Sequence, residues 1–238
     1  MRCIGFSTGA LARNDFRKAL QMLARKSVSA IELSALRQDE LIPLVEQLDQ
    51  LDLSQFRHIS FHAPSSMDPS FESMALELLM PVAARQWPII AHPDAMRTPL
   101  EWARLGHNLC IENMDKRKPI GQTAEDLSEI FKILPNASLC FDIGHARQVD
   151  PTMSEASAIL RLFHDRIEQL HVSEVNTQSK HDALTLESIL AFQRVSHLIP
   201  SDVPIILESR VEEWETEEEI RNALTALNPE NRLAVAGD

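Results

Sequence analysis

Short apolar runs return at intervals along this chain, and between them apolar residues recur every three or four positions. The runs are "CIGFSTG" (3–9), "AIELSA" (30–35), "HISFHAP" (58–64), "PIIAHPD" (88–94), "LCIENM" (109–114), "LCFDIGH" (139–145), "IEQLHVSEV" (167–175) and "PIILESR" (204–210). Near-continuous hydrophobicity over so few residues predicts eight strands buried on both faces. The intervening segments, such as "DFRKALQMLARK" (15–26), "DELIPLVEQLDQL" (39–51) and "ALTLESILAFQRVSHLI" (183–199), carry helical periodicity. Capping residues mark helix starts: Asn14 or Asp15, Thr123 before "AEDLSEIFKIL", and Thr216 before "EEEIRNALTAL".

Strand and helix alternate throughout, which calls for a parallel sheet covered by helices. Eight repeats in 238 residues predict an α/β fold of the closed (β/α)8 type, a TIM barrel in one domain over 1–238, with no linker or low-complexity segment to divide it. No GxGxxG or GxxxxGK[ST] loop follows the first strand, so dinucleotide and P-loop nucleotide binding lack their usual support.

In such barrels the carboxyl ends of the strands form the active face. Those ends carry His62, His92, Glu112, Asp142 with His145, His171 and Glu208, and His181 follows in the loop after the seventh strand. Five of nine histidines and three carboxylates are thus expected to converge as nitrogen and oxygen ligands of a divalent cation, with Zn, Mn or Fe suiting the mixture better than Ca. An unpaired charge directly after a buried run is costly, which strengthens the case for Glu112, Asp142 and Glu208. Glu32, read at the end of the second strand, fits either an ion pair inside the barrel or a substrate contact. His62, His92 and Arg210 are further candidates for contacting substrate. His58, His107, His164 and His197 read as structural or solvated, and Trp87, Trp102 and Trp214 as packing residues. The acidic run 211–219 reads as a solvated helix start.

Charge and composition narrow the partners. A formal charge of −12 disfavours broad binding to nucleic acid or anionic membranes, so a small-molecule substrate comes first, with nucleic acid left open, and homo-oligomerisation also left open. No leader-like or membrane-spanning apolar stretch is evident, and Cys3, Cys110 and Cys140 sit inside apolar runs as reduced thiols, which together predict a cytoplasmic protein.

The ordered set "ISFHAP", "IIAHPD", "LCIENM", "FDIGHA", "LHVSE" and "IILES" resembles the xylose isomerase-like TIM barrels, which include sugar isomerases and epimerases and also endonuclease IV. The resemblance to the epimerase branch implies one metal held by Glu112, Asp142, His171 and Glu208. It also implies that the two glutamates move a proton between neighbouring carbons while His145 contacts a substrate oxygen. The resemblance to the endonuclease IV branch implies up to three metals on His62, His92, Glu112, Asp142, His145, His171, His181 and Glu208. Ser179 stands where that branch has an aspartate two positions before His181. The epimerase branch's arginine after the seventh strand is missing, as are the long basic and aromatic loops of the nuclease branch. The expected activity is therefore metal-assisted isomerisation or epimerisation of a small sugar or related hydroxycarbonyl compound. Phosphoester hydrolysis of the abasic-site nuclease type is the alternative, and an inactive metal-binding barrel the third reading.

Overall fold

The computed structural model describes residues 2–228. Its strands are β1 Ile4–Ser7, β2 Ala30–Ser34, β3 His58–His62, β4 Ile89–Ala91, β5 Leu109–Glu112, β6 Ser138–Asp142, β7 Ile167–Val172, β8 Glu174–Val175, β9 His181–Asp182 and β10 Ile205–Leu207. Eight of them close a barrel in the order β1-β10-β7-β6-β5-β4-β3-β2, with every neighbouring pair parallel. This is the (β/α)8 barrel that the alternating pattern predicts.

Two details of the pattern come out differently. The run 167–175 is two elements: β7 joins the barrel, and β8 leaves it to form an antiparallel hairpin with β9. Asn176 builds the turn, its side-chain oxygen accepting from the amides of Gln178 and Lys180. His181 therefore sits on a strand of this hairpin rather than in open loop. At the last helix, Thr216–Ala226, Glu215 occupies the cap position and Thr216 lies inside the first turn. The acidic run 211–219, which continues into the first turn of this helix, is not uniformly solvated, because Glu219 is buried and accepts from the Leu184 amide and the Ser209 hydroxyl. Elsewhere the caps act as read: Asp15 accepts from the Lys18 amide, and Thr123 forms a reciprocal capping box with Asp126.

Alternation along the strands divides the interior into two environments. Phe6, Ile31, Leu33, Phe61, Ile111, Phe141, Leu170 and Leu207 belong to the large core that also takes in the helices. The other set of positions faces the barrel axis, and among them only Ile90, Cys110 and Cys140 form a separate apolar cluster. Glu32, Ser60 and Gln169 are fully buried there. A barrel axis is ordinarily filled by bulky branched residues; here polar groups occupy it and must satisfy one another. Gly5 lets β1 and β2 close, since a Cβ on it would lie 1.7 Å from the Ala30 carbonyl oxygen.

Trp102 is fully buried and its indole donates to Glu72 at 2.9 Å, as a packing role requires. Trp214 is 76% exposed and packs nothing, because the segment before the last helix turns it outward. Among the described residues no helix is long and apolar enough to cross a membrane.

Candidate metal centre

Six of the ligand candidates stand at one end of the barrel because each lies within one position of the end of its strand. His62, Glu112 and Asp142 are the last residues of β3, β5 and β6; His171 is the penultimate residue of β7; His92 and Glu208 follow β4 and β10 by one position. Asp142 also caps the helix Ile143–Val149, its Oδ1 accepting from the His145 amide at 2.7 Å. That cap explains the three-residue spacing in "DIGH": it lifts His145 onto the first turn and turns it back over the mouth. Glu32, by contrast, is the middle residue of β2 and lies one layer deeper than the sequence reading places it.

Glu112 is the hub. Its Oε2 lies 2.9 Å from His92 Nε2 and 3.3 Å from His62 Nε2, while its Oε1 lies 2.8 Å from His171 Nδ1. Glu208 Oε2 lies 3.5 Å from His171 Nδ1 and 3.4 Å from His181 Nδ1. His145 Nδ1 lies 3.4 Å from Asp142 Oδ2. The side chains thus fall into overlapping groups whose ligand atoms lie within 4.8 Å of one another: His62, His92 and Glu112; Glu112, Asp142, His171 and Glu208; and Asp142, His145 and His181. A fourth group joins Glu32, His62 and Glu208.

The histidines are held from behind. His62 Nδ1 donates to the Ala63 carbonyl at 2.7 Å, and His145 Nδ1 donates to the Asn113 carbonyl at 2.9 Å. Each bond leaves the other ring nitrogen available to a cation, the arrangement found behind most metal-binding imidazoles. His181 Nδ1 meets the Ser173 hydroxyl at 2.8 Å.

Burial and crowding displace the proton equilibria in opposite senses. Burial, partly offset by His145, raises Asp142 to about 6, and burial, partly offset by His171, raises Glu208 to about 8. Burial also works against a charged Glu112, yet His171 and His92 hold its carboxyl well below the usual range. Burial works against a charged His62, but its bond to Glu112 and the nearby carboxylates carry it up to about 9. Burial and the positive His145 push His181 down to about 3. Protons are here neutralising a buried anionic cluster, which a divalent cation would do as well.

Unpartnered atoms test that fit. Asp142 Oδ2 and His92 Nδ1 are buried with no hydrogen-bond partner among the described residues. A buried polar atom so left costs about 1–3 kcal/mol, and a cation on Asp142 Oδ2 would remove that cost at its own site. The donor set of imidazole and carboxylate suits Zn, Mn or Fe.

Above the ligands opens a cavity of about 460 Å³ lined by His62, His92, Glu112, His145, His181 and Glu208. Asp115, Arg117, Lys118, Ser179 and the exposed Arg210 line it as well. Arg117 and Lys118 are paired, the first with Asp115 through Nε at 3.0 Å and the second with Asp94 at 2.8 Å.

The profile of the family described as xylose isomerase-like TIM barrels matches residues 94–229, more than half of the sequence. The chain belongs to the xylose isomerase-like TIM barrel family. Solved structures agree in fold. Endonuclease IV from Thermus thermophilus is 16% identical at a TM-score of 0.59, over 93% of this chain and 98% of that one. The 3-keto-D-glucoside 4-epimerase from E. coli is 11% identical at a TM-score of 0.57, over 95% and 99%. A xylose isomerase domain protein from Alicyclobacillus acidocaldarius is 13% identical at 0.57, over 93% and 98%. The search of curated proteins gives no match.

In this xylose isomerase-like barrel all eight residues read from the sequence as ligands meet at the mouth. Of the two roles open to Glu32, the structure displays the ion pair: it is fully buried, 2.8 Å from His171 Nε2, and is not part of the cavity wall. Three residues escape the sequence reading. Asn113 extends the β5–β6 ladder with its side chain, donating to the Asp142 carbonyl and accepting from the Asp142 amide, both at 2.8 Å. Gln169 lies within the axis, and Asp115 is buried in the cavity lining although burial alone would disfavour its charge. Asn113 and Asp115 flank the ligand strand's end in "ENMD", and Gln169 stands two positions before His171; position relative to a ligand is the available signal.

Proposed function

We propose that this chain is a divalent-metal-dependent enzyme whose centre takes more than one ion and hydrolyses a phosphoester of a small molecule. The observation that carries this reading is the divided carboxylate of Glu112, which turns one oxygen to His62 and His92 and the other to His171. A carboxylate placed between two sets of donors is suited to bridging two ions. Asp142, His171 and Glu208 would complete one set, and His62 and His92 the other. When bound, such ions activate water and stabilise the leaving oxygen of a phosphoester.

The remaining residues shape and orient. A cavity of about 460 Å³ fits a small substrate. Arg210 in its lining is placed to hold an anionic group, while Arg117 and Lys118 are already balanced by Asp115 and Asp94. A chain of charge −12 is a poor match for a polyanion, so nucleic acid stands behind a small phosphoester.

A second reading, isomerisation or epimerisation of a small sugar or related hydroxycarbonyl compound, draws on the compact Glu112, Asp142, His171 and Glu208 group. A single metal on that quartet with its glutamates as proton carriers would suffice. The two readings separate on one protein loaded with Zn2+ or Mn2+. Hydrolysis of bis(4-nitrophenyl) phosphate and of small phosphate esters supports the first. Solvent-deuterium exchange into a sugar panel without any hydrolysis would replace it by the second.

A further inference from the structure

A hydrogen-bonded column runs down the barrel axis beneath the ligands. His58, at the first position of β3, meets Gln169 Oε1 through Nε2 at 2.7 Å. The Gln169 amide nitrogen donates to Glu32 Oε2 at 2.7 Å, and the Ser60 hydroxyl donates to the same oxygen at 3.3 Å. That oxygen lies 2.8 Å from His171 Nε2. Glu32, Ser60, Gln169 and His171 are all fully buried, and they come from β2, β3 and β7. Every one of these bonds goes to Oε2; Glu32 Oε1 is buried with no hydrogen-bond partner among the described residues, so the carboxylate is held by its His171 side at a cost in free energy.

We propose that Glu32 is a positioning residue for His171, an inference that rests on the metal-centre reading above. His171 Nε2, which Gln169 Nε2 also approaches at 3.0 Å, donates its N–H to Glu32; in the metal-free protein Nδ1–H donates to Glu112 at 2.8 Å and faces Glu208 at 3.5 Å, and a cation displacing that proton would meet the lone pair on Nδ1. Glu32 therefore fixes both the ring's orientation and its tautomer, and its charge makes Nδ1 a better donor to a cation. Gln169 and Ser60 hold the Glu32 carboxylate in turn. His62 and His145 are backed by backbone carbonyls; His171 is the histidine backed by a charge.

The test compares wild type with Glu32→Gln and Glu32→Ala. Zn2+ affinity is measured by competition with a chromophoric chelator, and the ring 15N resonances of His171 are recorded in the zinc-loaded protein. Glu32→Gln is near-isosteric and keeps an acceptor. It should weaken Zn2+ binding about 10-fold, and Glu32→Ala about 100-fold, the range expected for loss of a partner behind a ligand. Thermal unfolding of the metal-free Glu32→Gln protein should not fall in proportion, because a buried charge is removed. The Nε2–H resonance of His171, protected from exchange in wild type, should shift or broaden in Glu32→Gln. Folded Glu32→Gln with wild-type zinc affinity and an unchanged His171 spectrum overturns the proposal. Wild type that takes up no zinc instead overturns the metal reading on which it rests.

Discussion

His171 and Glu112 meet Nδ1 to Oε1 at 2.8 Å although 59 positions of sequence separate them. The contact ties β7 to β5 at the open end of the barrel, and the opposite oxygen of Glu112 ties β5 to His62 and His92. One carboxylate thereby joins two donor sets, and its loss should be felt in both.

Replacing Glu112 by Gln keeps the shape and removes the charge. Metal-supported turnover should fall by about 100-fold or more, the scale of losing one electrostatic stabiliser at a reacting centre. Bound metal should fall with it in the same preparation. Steady-state kinetics beside elemental analysis check this, and a variant that keeps both would show that Glu112 bridges nothing.

Asn113 has no place among the ligands, yet it fixes Asp142 through two backbone bonds and receives the His145 ring on its carbonyl. Asn113→Ala keeps the carbonyl and removes the two side-chain bonds, leaving a buried amide and a buried carbonyl of Asp142 unpaired. A loss of about 1–3 kcal/mol in stability is expected, together with weaker metal binding. Denaturant titration of the metal-free and loaded variant separates the two effects.

The metal-free protein should lose stability as pH rises from about 6.5 to 9. His62 is lifted to about 9 by the Glu112 bond and neighbouring carboxylates against the opposing burial, so folding favours its proton below that pH and the advantage disappears above it. Glu208, lifted to about 8 chiefly by burial, acts in the same sense: the folded state holds a proton that the unfolded chain has already released, and stability falls as that proton leaves. Unfolding midpoints in the presence of a chelator give the test. A midpoint that climbs across this window would contradict the assigned protonation of the cluster.

Arg210 lines the cavity, is exposed and belongs to none of the ligand groups, so Arg210→Ala should raise KM for a phosphorylated substrate about 10-fold with kcat little changed. An equal fall in kcat and kcat/KM would instead place Arg210 at the reacting group.

Much of this is legible in the residues themselves. Buried runs separated by amphipathic segments fix a parallel barrel, and the polar residue ending each run must lie at its carboxyl face; that logic places His62, Glu112 and Asp142 without further information. It fails where a charge inside a run is read as ending it. Glu32 lies in the middle of the run 30–35, β2 continues through Ser34, and two residues of strand put the carboxylate below the mouth. The β8–β9 hairpin is hidden because its strands are two residues each, too short to show a period. Trp214 and Glu219 take environments opposite to those expected, because residue type alone does not give direction: Trp214 lies in the short turn Glu213–Glu215 and faces outward, while Glu219 is held inward by the Leu184 amide and the Ser209 hydroxyl.

The cluster around Glu112 is, on this account, a centre for more than one metal ion. Its most direct test is elemental mass spectrometry on protein purified without a histidine tag or chelator, with Asp142→Ala as the control. Two or more equivalents of Zn, Mn or Fe per wild-type chain, sharply reduced in the variant, are the predicted result; a wild-type protein holding no metal after reloading, or one equivalent at saturation, would contradict it.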